Sequence, residues 1–585
     1  MAGSSWAGSS VFLRKVKWMQ VHVKFKKAER MEELYFAEPL EVLTGQYMSL
    51  EEALASAQKH ADTGRYVIPA LSYEAKEGGP FVIGVFGAPV DRTAFLEAYD
   101  GAGVYMMGEP AFTEAPGKIM SDIEEIRNSI RDGHTYQVNY TTRLKGTFSG
   151  DAHALFEQLI ARNNGDYTMF IHWKGTSIVS CSPELFFEVD ASGRISTRPM
   201  KGTARRYDDP VKDQESFDFL RHSGKDRAEN VMIVDLLRND LSKVARKGSV
   251  HVPERFTIER YDTVYQMTST VEAEIEEGVG LPELIKALFP CGSITGAPKQ
   301  STMDIIRKLE STPRGYYCGT LGIMYPDGSQ VFNVPIRTLY IEGGRYEYGT
   351  GGGITYDSIP ESEYDEMVAK TAFLEDGRYK LIETMRIESG TVRRFALHEK
   401  RILKSADALA FSTPDFKEEV EAYVKRHGLD QADDIYRLRA VANASGQMTF
   451  SHGEVEAVEY ADARLADAAI KAPPMFLTNK TTVRHHYHGV GDDFPIVLYY
   501  NEYQQLTEFN IGNLVVEEDG RFYTPPVTSG LLDGVMRQSL MADGRLEERG
   551  YPMETFLEKL EDGSIKIYMI NSLKEWVRIN LNIPG

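Results

Sequence analysis

The chain has 585 residues, of which 42% are hydrophobic, 11% aromatic and 26% charged. That is globular composition with more material than one hydrophobic core usually organises, so at least two folding units are expected. A formal net charge of -20 argues against a general nucleic-acid or membrane-surface binder, both of which need a broad cationic face, and requires any anionic substrate to meet positive charge locally.

The start, Met1 to Lys27, sets Arg14, Lys15 and Lys17 among apolar residues with no uninterrupted apolar stretch before a small-residue cleavage site. It does not read as a secretory signal, and no later run is apolar for long enough to span a bilayer. Cys181, Cys291 and Cys318 are few and far apart, which suits a reducing cytoplasm better than a disulfide framework.

Arg65 to Ala75 reads as a buried strand leaving through a loop, and Gly101 to Pro116 as a Gly/Pro-rich connection. Ile119 to Ile130 has helical apolar spacing, and Tyr136 to Leu144 alternates as a strand after the Asp132-Gly133 turn. Around Glu375-Asp376-Gly377 the pattern resets. A fresh strand, Tyr379 to Ile387, then leads through a Ser389-Gly390 turn into an amphipathic helix, His398 to Ala410. The domain boundary is placed there: Met1 to about Leu374, then Glu375 to Gly585.

Asp226 and Glu229 lie three apart in KDRAENVMIVDLLRNDL, and Glu363 and Glu366 repeat the spacing in PESEYDEMVAK. Each pair shares a helix face, and two such pairs offer the oxygen donors that a hard cation such as Mg2+ prefers, although each alone also suits a solvated acidic face. Gly351-Gly352-Gly353 frees consecutive backbone N–H groups to approach an anion, or makes a tight turn. Lys201 in RPMKGT is flanked by Arg198, Arg205 and Arg206, a cationic neighbourhood that favours a nucleophilic amine.

Taken in order, YQVNYTTR, SPELFF, TRPMKGTARR, DRAENVMIVDLLRNDL, GSITGAPK, RGYYCGTLG, the Arg337 strand and GTGGGITYDSIPESEYDE resemble the chorismate-utilising enzymes from Tyr136 to Leu374. Within that superfamily the resemblance is to aminodeoxychorismate synthase component I, distinguished by a Pro-Ile-Lys-Gly-Thr block where anthranilate synthases carry alanine in place of lysine. Here the block reads Pro199-Met200-Lys201-Gly202-Thr203. The resemblance implies that Lys201 adds to C2 of chorismate while the C4 hydroxyl departs, after which ammonia enters at C4 and expels the lysine. It implies Glu184 as acid/base partner, and Glu229 and Glu366 as Mg2+ ligands with Asp226 and Glu363 beside them. Ser293, Tyr317, Arg337 and the backbone of Gly351 and Gly353 would cradle the substrate's carboxylates. Gln266 stands where the family usually has histidine; it can donate a hydrogen bond to the substrate but cannot shuttle a proton near neutral pH. None of the cysteines lies in a Gly-rich nucleophile turn, so ammonia is expected from a separate glutamine amidotransferase subunit.

The blocks LIETMRIESG, FALHEKRILKSADALAF, NKTTVRHHY, LTEFNIGNLVVEEDGRFYTPP and SGLLDGVMR resemble the fold-type-IV pyridoxal-phosphate proteins, and among them the aminodeoxychorismate lyases, over about Leu381 to Arg537. That likeness implies Lys480 as the cofactor lysine and Glu508 as the acid on the pyridine nitrogen. It also implies Arg401 with the backbone of Val535 and Met536, freed by Gly534, as the phosphate cup; Thr384 is a candidate for the substrate side. His485, His486 and His488 do not have the spacing of a familiar zinc site. The expectation is thus an α+β chain: a chorismate-utilising fold followed by a fold-type-IV pyridoxal-phosphate domain. It would convert chorismate and ammonia to 4-amino-4-deoxychorismate, then eliminate pyruvate to leave para-aminobenzoate for folate. Two alternatives stand at this stage: the second domain as an amino-acid aminotransferase of the same fold, or as a non-catalytic docking module.

Overall fold

A computed structural model of the chain describes residues 19–28, 30–101, 103–161, 165–207, 209–260, 264–455, 458–484, 486–491 and 495–582, without the side chain of residue 376. The chain divides into two compact units: one of Met1–Asp100, Glu109–Phe148 and Asn163–Phe373, the other of Gly101–Gly108, Ser149–Arg162 and Leu374–Gly585. Two short segments from before Leu374 therefore pack with the second unit, so a single cut in sequence does not separate the units.

The first unit is built on two large antiparallel sheets. One runs in the order Gly296–Ala297, Gln137–Gly150, Arg345–Ile354, Thr338–Glu342, Thr176–Ser182, Tyr167–Trp173, Met19–Lys27, Arg30–Phe36. The other runs Met200–Arg205, Val264–Glu274, Arg194–Arg198, Leu185–Val189, Gln330–Asn333, Thr320–Met324, Tyr66–Leu71, Phe81–Phe86, Glu41–Thr44. Alternation puts Val21, Val23 and Phe25 of the first sheet against Ile68, Ala70, Val82 and Ile323 of the second, which makes the sandwich core. Helices cover the outer faces. Gly224–Leu241 and Leu281–Leu288 bury Ile233, Val234, Leu237, Leu284 and Ile285 on one side, and Pro116–Arg131 and Pro360–Lys370 bury Ile119, Ile123, Ile126 and Met367 on the other.

Both carboxylate-bearing helices have sequence-encoded starts. Ser223 caps Gly224–Leu241 by accepting from the Asp226 N–H at 3.2 Å, and Pro360 opens Pro360–Lys370 at a position whose N–H has no helical partner.

In the second unit a four-stranded sheet runs Thr391–Val392, Leu381–Glu388, Tyr436–Ala442, Met448–Glu454. A larger sheet closes on itself, because Leu506–Phe509 pairs with both Val497–Tyr500 and Gly512–Glu518. Leu498, Leu506, Leu514, Met569 and Val577 fill this ring. A cavity of about 320 Å3 opens between the four-stranded sheet and the ring.

Candidate functional site

In the first unit the glycine strand Arg345–Ile354 organises the site. A Cβ built on Gly349 would lie 2.1 Å from the Tyr317 ring, and one on Gly353 would lie 2.1 Å from Gln137 Nε2 and 3.5 Å from Lys201 Nζ. Alternate residues of a strand point to one side, so Tyr317 and Lys201 share a face, with side-chain-free backbone between them. A Cβ on Gly352 would point elsewhere, 3.6 Å from Glu363 Oε2 and 3.8 Å from Glu366 Oε1. Lys201 itself sits on the edge strand Met200–Arg205. The left-handed φ of +91° at Gly202 is a conformation that suits glycine, and a Cβ there would lie 2.9 Å from Asp226.

The charge of Lys201 acts on the carboxylates of Glu184, Glu229 and Glu366. Glu184 is 5% exposed, and burial raises its pKa against a hydrogen bond from Ser293 and the charge of Lys201. Its Oε1 is buried without a hydrogen-bond partner among the described residues. Burial also raises Glu229, opposed by Lys201 and Lys225 and reinforced by the like charges of Asp226 and Glu363. At Glu366 partial burial is outweighed by Lys370, at 2.7 Å, with Lys225 and Lys201 beyond it, and the pKa falls below the ordinary value. Ser358 donates to Glu363 at 2.6 Å.

The arginines flanking Lys201 in sequence are engaged elsewhere: Arg198 with Glu259 at 3.7 Å, Arg206 with Asp213 at 3.3 Å and Arg205 over the Tyr207 ring. None of these three contacts is made to Lys201, whose charge is felt instead by the carboxylates of Glu184, Glu229 and Glu366. Gln266 is held by its own strand neighbours. Its Nε2 donates to the Gly202 carbonyl and its Oε1 accepts from Thr203 Oγ1, both at 2.8 Å, so its amide holds the Lys201 strand at both polar ends. Arg337, at a left-handed φ of +51°, exerts its charge on Tyr348, one residue before Gly349.

Among the described residues no three acidic, His or Cys side chains converge to hold a metal ion. The donor chemistry of Asp226, Glu229, Glu363 and Glu366 suits Mg2+, being all carboxylate oxygen, with the like charges of Asp226 and Glu363 acting on Glu229.

The second cavity collects the other set. Lys480, Glu508, Arg401, Thr384, Gly534 and Val535 all line it. Burial drives the Lys480 amine down to about 7, helped by Arg401 and resisted by Glu383; its nitrogen is desolvated although the side chain borders open cavity. Burial raises Glu508 to about 7 despite bonds from the Tyr487 hydroxyl at 2.8 Å, Leu532 N at 3.2 Å and Asn513 Nδ2 at 3.2 Å. A buried carboxylate that keeps three donors and is still this hard to ionise fits a cationic N–H as its partner, as a protonated pyridine nitrogen would be.

Gly534 precedes the helix Val535–Ala542, and a Cβ there would lie 2.1 Å from Asn513 Oδ1, so only glycine lets the loop pass. The free N–H groups of that helix start fit a phosphate. Met536 is not part of the cavity lining, and its side chain packs with Val515, Leu540 and Ile570. Arg401 forks onto Glu383, Nε at 2.7 Å and Nη2 at 2.5 Å, and His398 Nδ1 bonds the same carboxylate at 2.6 Å. Together they hold Glu383 ionised, at about 2, against its burial.

Sequence reasoning missed Glu383, although the chain marks it as a lone acid on the buried, period-two face of Leu381, Met385 and Ile387. Asn513 and Gln137 carry no comparable signal; Gln137 is 1% exposed and its Oε1 has no hydrogen-bond partner. His486 is buried against Tyr487, His488 packs on Tyr499, and residue 485 lies outside the described residues.

Residues 115–376 match the chorismate binding enzyme family and residues 380–581 the amino-transferase class IV family. The chain joins a chorismate-binding domain to a class IV amino-transferase domain. It is similar to aminodeoxychorismate synthase component 1 of Escherichia coli, 42% identical over 246 residues, which are 42% of this chain and 54% of that protein. It is also similar to an anthranilate synthase component 1 of Haloarcula marismortui, 39% identical over 248 residues, which are 42% of this chain and 50% of the relative. The chain thus spans about half the length of these relatives. In fold it is like the menaquinone-specific isochorismate synthase of Escherichia coli, with a TM-score of 0.51 at 17% identity over 62% of this chain and 89% of the other. No helix among the described residues is long and apolar enough to cross a membrane.

Proposed function

We propose that this enzyme makes para-aminobenzoate in two steps, amination of chorismate at C4 followed by elimination of pyruvate. The observation that carries the first step is Lys201 Nζ beside Gly353, on the face that also presents Tyr317, with Glu184 and Glu229 within electrostatic reach. An amine in that position can add to C2 of chorismate as the C4 hydroxyl leaves. Glu184, raised by burial, is suited to give the departing hydroxyl its proton and to take one back when ammonia enters at C4 and Lys201 departs. Glu229 and Glu366, with Asp226 and Glu363 beside them, would hold Mg2+, which when bound offsets the charge of a substrate carboxylate. Gln266 fixes the Lys201 strand, and Arg337, Tyr317, Ser293 and the Gly351 and Gly353 backbone orient the substrate.

The thiols do not suit a glutaminase. All three are buried, and burial raises Cys291 to about 12 and Cys318 to about 11. Ammonia from a separate amidotransferase is the reading this supports.

In the second domain pyridoxal phosphate, when bound, supplies an electron sink. Lys480, held near neutrality, is suited to carry it and then to move the C4 proton; Glu508 would keep its ring nitrogen protonated, and Arg401 with the Val535 and Met536 N–H groups would hold its phosphate. A class IV amino-transferase domain also supports an aminotransferase reading. Against it stands the cavity lining beyond the Arg401–Glu383 pair, where the described residues place Arg437, Arg439, Arg484 and Lys574 with a single carboxylate, Glu508. That excess suits aminodeoxychorismate, which carries two carboxylates, better than a monocarboxylic amino acid. The test is to incubate the full chain with chorismate, ammonia, Mg2+ and pyridoxal phosphate and identify products by mass. Para-aminobenzoate with pyruvate supports the reading; ortho-aminobenzoate, or an amino acid formed only with an added 2-oxo acid, overturns it.

A further inference from the structure

We infer that Tyr105, from the Gly/Pro-rich connection, is a positioning residue for Lys480. The inference rests on the reading of Lys480 as the cofactor lysine.

Sequence makes Gly101 to Gly108 a loop remote from the second domain. In the structure its Tyr105 is 1% exposed in the second unit. The phenol donates to the Gly377 carbonyl at 2.9 Å, and the Tyr105 carbonyl accepts from the Tyr379 hydroxyl at 2.6 Å. The Tyr105 ring meets Tyr379 and Phe476 edge-on, at centroid distances of 5.8 and 6.2 Å, and Phe476 meets Tyr379 at 5.2 Å. These are edge-to-face contacts in a dry cluster, where each ring fixes the other two.

Two of the three rings lead directly to Lys480. Phe476 lies in the short helix Pro474–Thr478, which ends two residues before Lys480, and the Asn479 N–H bonds back to Met475 at 3.2 Å. Tyr379 begins the run whose Ile382 N–H donates to the Lys480 carbonyl at 2.9 Å and whose Lys380 carbonyl accepts from Thr482 N–H at 2.9 Å. Lys480 therefore hangs between two supports, and Tyr105 packs against both.

The strut is itself anchored. Asp151 Oδ2 accepts from Gly103 N–H at 2.8 Å, Asp151 N–H donates to the Val104 carbonyl at 2.8 Å, and Asp151 Oδ1 caps the helix Ala152–Ile160. Leu155 of that helix stands 2.8 Å from where a Gly377 Cβ would be. Deleting the Tyr105 ring leaves a void that close-packed neighbours fill only in part, so Phe476 and Tyr379 gain freedom and the Lys480 amine loses its fixed place.

The experiment compares Tyr105→Ala, Tyr105→Phe and Lys480→Ala in the full chain. It measures pyridoxal-phosphate affinity, the pH midpoint of the bound cofactor's visible band, and chorismate consumption in the same samples. Tyr105→Ala is expected to weaken cofactor binding by about tenfold and shift the midpoint, with chorismate consumption within about twofold of the starting protein. Tyr105→Phe keeps the ring and restores both cofactor readouts.

Unchanged affinity and midpoint in Tyr105→Ala, beside a Lys480→Ala that loses the band, overturn the strut alone. A band that survives in Lys480→Ala overturns the reading beneath it. Should Tyr105→Ala lose all activity by misfolding, hydrogen exchange on the unsubstituted protein decides. Binding at Lys480 must by reciprocity slow exchange at Val104 to Met107, and unchanged exchange there on adding pyridoxal phosphate removes the inference.

Discussion

Lys201 and Tyr317 occupy one face of the strand Arg345–Ile354, over Gly353 and Gly349, and Gly351 between them presents only backbone. Gly353→Ala should therefore damage the first reaction directly. The new methyl would clash with Gln137 Nε2 at 2.1 Å, and Gln137 would have to move beside the Lys201 amine, which the methyl itself meets at an ordinary 3.5 Å. Formation of aminodeoxychorismate should fall by about 100-fold, because misplacement of the nucleophile by about 1 Å is enough for that. Lyase turnover of supplied aminodeoxychorismate should be retained, and a variant equally active in the first step would show that the Gly353 face is not where chorismate binds.

Lys201→Ala should abolish C4 amination, by at least about 100-fold, while leaving the fold intact, because an intermediate-exposure edge residue contributes little packing. Residual attack of ammonia at C2 would appear as a different product by mass. Undiminished aminodeoxychorismate would remove Lys201 from the mechanism.

Glu229→Gln and Glu366→Gln should each raise the Mg2+ concentration that half-saturates the synthase by about tenfold, since the amide keeps an oxygen but loses the charge a hard cation needs. The effect at Glu366 works against a second one, because its 2.7 Å ion pair with Lys370 is also lost. Lyase turnover should not respond. Identical Mg2+ titrations in both variants would show that these carboxylates are not ligands.

Much of this was legible in the chain. The Asp226/Glu229 and Glu363/Glu366 helices follow from spacing and from Ser223 and Pro360 at their starts, and the strand before the second domain's first helix follows from alternation in Leu381–Glu388. Long-range pairing was not legible. Lys201 has arginines beside it in sequence, while the carboxylates that feel its charge, Glu184, Glu229 and Glu366, come from segments far apart in the chain. Nor does spacing show that the register sets Gln266 opposite Thr203, so that its amide bonds the Lys201 strand. Gly101–Gly108 reads as a linker because its composition carries no period, and the partners that give Tyr105 a place, among them Gly377, Tyr379 and Phe476, are far along the chain.

Glu508 gives a prediction about pH. Its pKa in the folded protein is raised from 4.5 to about 7 by burial, so the folded state favours the protonated form. That stability is fully present below pH 4.5 and is lost as pH rises through 7. Glu508→Gln removes the titration, so cofactor-free protein should gain roughly 3 kcal/mol relative to the parent between the two ends of that window. Denaturant unfolding at several pH values measures it. The same variant should bind pyridoxal phosphate more weakly, since an amide does not hold a protonated ring nitrogen as a carboxylate does. A stability difference that does not change with pH would mean Glu508 ionises normally.

Lys480→Ala separates the two halves. Only the second reaction needs a lysine for the cofactor, and Lys480 is held at about 7, where it is available both as nucleophile and as base for the C4 proton. Removing it also removes a desolvated cation next to Arg401, Arg484 and Arg439, so the second unit should not lose stability. Chorismate should still be consumed at the parent rate while aminodeoxychorismate accumulates, and adding a separate aminodeoxychorismate lyase should restore para-aminobenzoate. That restoration distinguishes a missing elimination step from general misfolding, which would also stop the first reaction. Para-aminobenzoate formed by the variant alone at the parent rate would mean that the second domain does not catalyse the elimination through Lys480.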